Sequence, residues 1–201
     1  TGFTDRAMDL CEEALKELPG IKLERTRKGA LVATLPGETD GPWRALTAHV
    51  DTLGAMVKEI KSNGRLKMTK LGGFPWNTVE GEGVTVFASS GETYRGSILL
   101  TKASSHVHGQ EVIKTERNDD TMEVRLDART TSADETKDLG IQVGDFVVFD
   151  QRVEVTNGFV RSRHLDDKAC VAAMIFAAKA LAEAGLSPKV TSVLHVSNYE
   201  E

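Results

Sequence analysis

Apolar residues recur at intervals of three and four from Met8 through Cys11 and Leu15 to Leu18. With Thr4 placed to cap and Pro19-Gly20 to stop, the chain is expected to open on an amphipathic helix. Two strand-like pieces follow, Ile21 to Arg25 and Ala30 to Leu35, separated by Lys28-Gly29 and closed by Pro36-Gly37, the pattern of a hairpin. Arg44 to Val50 forms a further strand pattern. Leu53 to Ile60 and Leu66 to Leu71 flank Asn63-Gly64, a dipeptide suited to a tight hairpin turn because both residues tolerate positive φ.

From Gly72 to about Val160 the texture changes. Short β-rich runs (Gly83 to Phe87, Ser97 to Thr101, Met122 to Asp127, Phe146 to Phe149, Val153 to Thr156) recur between Gly, Asn and Asp turns, and only Ala133 to Leu139 has a helical pattern. Such a meander predicts a small barrel or sandwich, not alternating βαβ units. After Arg161 an Ala-rich helix is expected from about Lys168 to Ala184, stopped by Gly185 with Pro188 beyond, followed by an apolar strand from Lys189 to Val196. The fold class expected is α/β. An α/β domain in two pieces, 1–70 and 161–201, is interrupted by a small β-barrel-like domain over 71–160, with no internal repeat or low-complexity segment.

Composition narrows the function. With 40% hydrophobic and 27% charged residues in 201, the chain has material for one sizeable core or two modest ones. No apolar run approaches the roughly 20 residues of a membrane span, and no basic-then-apolar leader opens the sequence at Thr1, so a cytoplasmic protein with no membrane partner is expected. Cys11 and Cys170 lack metal-type spacing and sit in helix-like stretches, which predicts two buried thiols and no disulfide framework. A net charge of -5 without a Lys/Arg stripe gives little attraction for phosphate backbones, which argues against a nucleic-acid partner.

Three acidic or imidazole clusters fall at ends of expected strands or at the start of the Ala-rich helix: His49-Val50-Asp51, Asp166-Asp167 and Glu200-Glu201. Open α/β sheets place their ligands at such ends. Residues two apart on a strand face one side, so His49 and Asp51 suit a pair in which one binds a cation and the other orients the imidazole. Asp166-Asp167 precedes a helix whose N–H groups favour anions, and N-capping is its plainer role. Adjacent carboxylates at Glu200-Glu201 repel one another unless a cation or solvent compensates them. His106 and His108 form an H-x-H compatible with a metal on a strand, but their polar neighbours favour a surface role; His164 and His195 are expected to be structural or supporting.

The motifs together are similar to those of a known family. Thr1-Gly2-Phe3-Thr4-Asp5, Ala48-His49-Val50-Asp51-Thr52-Leu53-Gly54 with Met56-Val57, and Leu71-Gly72-Gly73-Phe74-Pro75 are its earlier segments. Leu139-Gly140-Ile141 with Gly144-Asp145, Leu165-Asp166-Asp167-Lys168-Ala169 and Tyr199-Glu200-Glu201 follow in order. Over essentially its whole length the chain resembles the tetrahedral, or deblocking and glutamyl, aminopeptidases, cytoplasmic dinuclear metallopeptidases with a three-layer α/β/α catalytic domain. The resemblance implies that His49 binds one metal ion, Asp166 bridges two, Glu201 binds the other, Glu200 is the general base, Asp51 orients His49, and Asp167 supports the ligands. It also implies two divalent ions, zinc first, with cobalt or manganese as alternatives, short peptides as substrate, and a homo-oligomer, often a dodecamer. Lys168 stands where Arg is commoner and Cys170 where Gly is usual. A later Asp and a later His complete such sites, so the 201 residues are expected to be part of a longer natural chain and inactive alone. The next reading among hydrolases is a related dinuclear deacylase or amidase acting on a small acylated or amidated dipeptide. From the residues alone, a metal-free glycosidase and a non-enzymatic assembly or binding module remain open.

Overall fold

The structure, a computed structural model, describes residues 2–201; Thr1, first residue of the opening motif, lies outside them. The first elements in chain order are α1 (Asp5–Leu15), β1 (Lys22–Arg25), β2 (Leu31–Leu35), β3 (Thr39–His49), β4 (Gly54–Ile60) and β5 (Leu66–Leu71). Next come β6 (Gly83–Phe87), β7 (Thr93–Leu100), α2 (Ser105–His108), α3 (Glu111–Lys114), β8 (Met122–Leu126), α4 (Ala133–Asp138) and β9 (Phe146–Phe149). The chain ends with β10 (Glu154–Thr156), β11 (Phe159–Arg161), α5 (Leu165–Glu183) and β12 (Val190–Ser197). Two compact units result, one made of the residues up to Thr52 together with His164–Glu201, the other of Leu53–Arg163. Both the mixed α/β fold and a barrel are present. Among the described residues no helix is long and apolar enough to cross a membrane.

In the first unit the sheet runs β1-β2-β12-β3. The β1–β2 hairpin is antiparallel, β12 is antiparallel to β2, and β12 is parallel to β3. The three-and-four spacing of α1 buries Met8, Cys11 and Leu15. They join Val171, Met174, Ile175 and Ala178 of α5 and Leu31, Ala33, Ala48, Leu194 and Val196 of the sheet in one core. Thr4 occupies the cap position of α1, but its side chain makes no capping hydrogen bond; its Oγ1 accepts instead from Asn198 Nδ2 at 3.4 Å. The strand β3 starts five residues before the expected Arg44, because Glu38 and Thr39 donate their N–H groups to Pro188 and Lys189 ahead of a register shift. Gly37 makes that approach possible, since a Cβ there would stand 2.3 Å from backbone atoms of Val190 and Thr191. Gly37→Ala is therefore expected to cost about 1–3 kcal/mol, read as a lower denaturant midpoint with unchanged slope.

The second unit is a closed barrel, β4-β5-β8-β7-β6-β9, with every neighbouring pair antiparallel. Alternation fills its interior with Ala55, Val57, Leu66, Met68, Val84, Val86, Ile98, Leu100, Met122, Val124, Val147 and Phe149. Because the Asn63-Gly64 hairpin supplies the first two staves, the structural boundary falls after Thr52 and not at 71 as its sequence pattern suggested. A strand pattern cannot say which sheet a hairpin joins. Two one-turn helices that the sequence reading missed, α2 and α3, interrupt the β7–β8 connection. They correct the strand placement of His106 and His108: two residues apart on a helix point roughly 200° apart, so the pair does not share a face.

Candidate metal centre

Every candidate residue at the three clusters lies in the first unit. Parallel pairing of β3 with β12 sets their C-terminal ends side by side, His49 opposite Ser197, so Glu200 and Glu201 emerge beside His49. The helix α5 runs back before β12, which brings its first turn to the same edge. There Asp166 and Asp167 depart from helical dihedrals, the peptide bond between them is cis, and regular helix begins at Lys168. Tyr199, at φ 60°, takes the left-handed conformation just before the two glutamates.

The side chain of His49 is 8% exposed. Its Nδ1 lies 3.0 Å from the Asp51 carbonyl oxygen, which can only accept, so Nδ1 carries the proton and neutral Nε2 presents a lone pair. That Nε2 faces Asp166 Oδ1 at 3.2 Å and Glu200 Oε2 at 3.5 Å. Asp51, fully buried at its side chain, has Oδ1 3.5 Å from His49 Nδ1, while Oδ2 accepts from the Glu201 backbone N–H at 3.1 Å. The Asp166 and Glu200 side chains are 85% and 61% exposed, so the buried imidazole meets two solvent-facing carboxylates.

Among the described residues two triads bring potential ligand atoms within 4.8 Å of one another: His49, Asp166 and Asp167, and His49, Glu200 and Glu201. The structure thus gathers His49, Asp166, Asp167, Glu200 and Glu201, with Asp51 beneath them. Burial alone pulls the His49 pKa down, but the Asp51 carbonyl and the Asp51, Glu200 and Asp166 carboxylates outweigh it, leaving it above the ordinary imidazole value. The Glu201 carboxyl is also raised, first by burial and then by Asp166, Glu200 and Asp51, with His49 opposing. His49 Nε2 and the carboxylate oxygens that face it are satisfied by a proton on Nε2 or by a cation. An imidazole with several carboxylates is a donor set that fits divalent transition metals.

Two supports were missed in the sequence reading. The Lys168 ammonium, its pKa lowered by burial, donates to the Val50 carbonyl at 2.6 Å, and the signal for it was a single cation in an otherwise apolar helical turn. Asn198 Nδ2 donates to the Lys28 carbonyl at 2.6 Å and ties the end of β12 to the β1–β2 turn. His195 Nδ1 lies 3.0 Å from Thr47 Oγ1 across the strands. The thiols are both free, but only Cys11 is buried; Cys170 is exposed, because α5 turns that position away from the core. A hydrogen bond to Asp167 raises the Cys170 pKa.

The model of the M42 glutamyl aminopeptidase family matches residues 29–201. The chain belongs to that family. The putative aminopeptidase YhfE of Bacillus subtilis is 46% identical over 202 residues, covering 100% of this chain and 58% of its own. Among solved structures, an aminopeptidase from the archaeon Desulfurococcus kamchatkensis superposes with a TM-score of 0.83 at 28% identity, covering 100% of this chain and 52% of its own. The TET1 peptidase of Pyrococcus horikoshii, described as assembling into a tetrahedron or a large octahedral shell, has a TM-score of 0.78 at 26% identity, covering 98% and 56%. The chain thus spans little more than half the length of these relatives.

Proposed function

We propose that this chain carries part of the active site of a metal-dependent aminopeptidase that removes N-terminal residues from short peptides. One observation carries the reading: His49 Nε2 lies 3.2 Å from a carboxylate oxygen of Asp166 and 3.5 Å from one of Glu200, three groups from three separate stretches. Membership of the glutamyl aminopeptidase family and likeness to a Desulfurococcus aminopeptidase support the peptidase half.

His49, Asp166 and Glu201 would hold two divalent cations, zinc foremost. Such ions supply a water made acidic enough to lose its proton near neutral pH and polarise the scissile carbonyl. Glu200 would accept a proton from the attacking water and return it to the departing amine, one positioned carboxyl acting as base and then acid. Its assignment over Glu201 rests on the family resemblance, and the exposure of its carboxylate supports it. Asp51 holds the His49 tautomer through its carbonyl and the Glu201 backbone through its carboxylate. Asp167, beside Asp166, supports the ligand set. The unit that bears these residues is the catalytic domain and the barrel is an insertion within it. A homo-oligomer is proposed by analogy with the assembling Pyrococcus peptidase.

The test is hydrolysis of an aminoacyl-anilide panel by the natural full-length protein before and after chelation. Activity should vanish with the chelator and return with zinc, cobalt or manganese. Hydrolysis that survives complete removal of metal would sink the reading.

A further inference from the structure

The corner His49-Val50-Asp51 is held from three directions. Val50 is buried and donates its N–H to the Ser197 carbonyl at 3.1 Å, which fastens it to β12. Asp51 accepts from His49 Nδ1 and from the Glu201 N–H, which fastens the imidazole and the terminal glutamates to the same corner. The third hold comes from α5: Lys168, two residues after Asp166, sends its ammonium inward to the Val50 carbonyl at 2.6 Å. A charged donor on a buried carbonyl is among the stronger protein hydrogen bonds, and removing it leaves that acceptor unsatisfied.

Asp166 is exposed and reaches His49 across 3.2 Å from an irregular turn, so its own surroundings do little to set that separation. Resting on the metal-centre reading above, we infer that Lys168 is a positioning residue: it clamps the first turn of α5 to the end of β3 and so keeps Asp166 in register with His49. It touches neither cation nor substrate. Its contribution is to keep carboxylate and imidazole together before a cation arrives, which raises cation affinity by preorganisation.

The experiment titrates zinc and cobalt into the metal-free natural full-length protein by calorimetry, well below its melting temperature, for wild type, Lys168→Met, Lys168→Gln and Lys168→Arg. Supporting ligand shells are typically worth about 10–100-fold in metal affinity, and that loss is expected for Lys168→Met. The Gln amide falls about one bond short of the carbonyl, and the same loss is expected there, so the test survives if the Met variant fails to fold. Arg can donate to the same oxygen and should stay within about threefold of wild type. A purely structural lysine predicts otherwise: a lower melting temperature with wild-type cation affinity in the folded Met and Gln variants, which would overturn the inference. A wild type that binds no divalent cation, or His49→Ala binding as well as wild type, would instead overturn the metal-centre reading.

Discussion

Glu200→Gln is expected to lower turnover of the natural full-length protein about 1,000-fold, within the 10²–10⁴ typical of a general acid–base group, while the protein keeps its metal. The substitution preserves shape and removes the basic oxygen, so it separates proton transfer from binding. A thousandfold loss corresponds to about 4 kcal/mol of transition-state stabilisation. The carboxylate of Glu200 lies 3.5 Å from His49 Nε2, close enough to the proposed cation ligands to serve a water held there. Steady-state kinetics paired with metal analysis decide the matter. Unchanged turnover would remove Glu200 from the mechanism, whereas metal lost along with activity would make it a ligand.

His49→Ala is expected to weaken divalent cation binding by more than about 100-fold, beyond what loss of a supporting residue usually costs. His49 is common to both triads, so its removal strips the nitrogen ligand from each and leaves carboxylates that repel one another. The change should also be visible as stability. A ligand present at 100 times its Kd stabilises the native state by about 2.7 kcal/mol, so saturating zinc should raise the wild-type melting temperature and leave the variant nearly unmoved. Equal metal-induced shifts in the two proteins would contradict this.

Much of the local structure was legible in residue patterns. The spacing of Met8, Cys11 and Leu15 marked a helix, Asn63-Gly64 marked a hairpin, and the Ala-rich stretch stopped by Gly185 marked α5. Where the reading departed from the structure at β3, the deciding contact was long-range. The beginning of β3 depends on carbonyls of Pro188 and Lys189, about 150 residues away in sequence, and no local signal announces it. The H-x-H at His106 and His108 suited a strand, but the β7–β8 connection coils there into single helical turns. Lys168 was noticed only as a departure from a family pattern, because its partner is a backbone carbonyl that side-chain motifs do not reveal.

The amino-acid sequence by itself determined which residue types can do chemistry and the kind of element for most of them, because periodicity, caps and turn residues act over a few neighbours. Only the tertiary structure decided that these residues meet. Parallel pairing of β12 with β3 sets Glu200 beside His49, and the return of α5 to that edge adds Asp166. It also decided that the first hairpin after Thr52 belongs to the barrel, since a strand's sheet is chosen by which distant partner completes its hydrogen bonds and covers its apolar face.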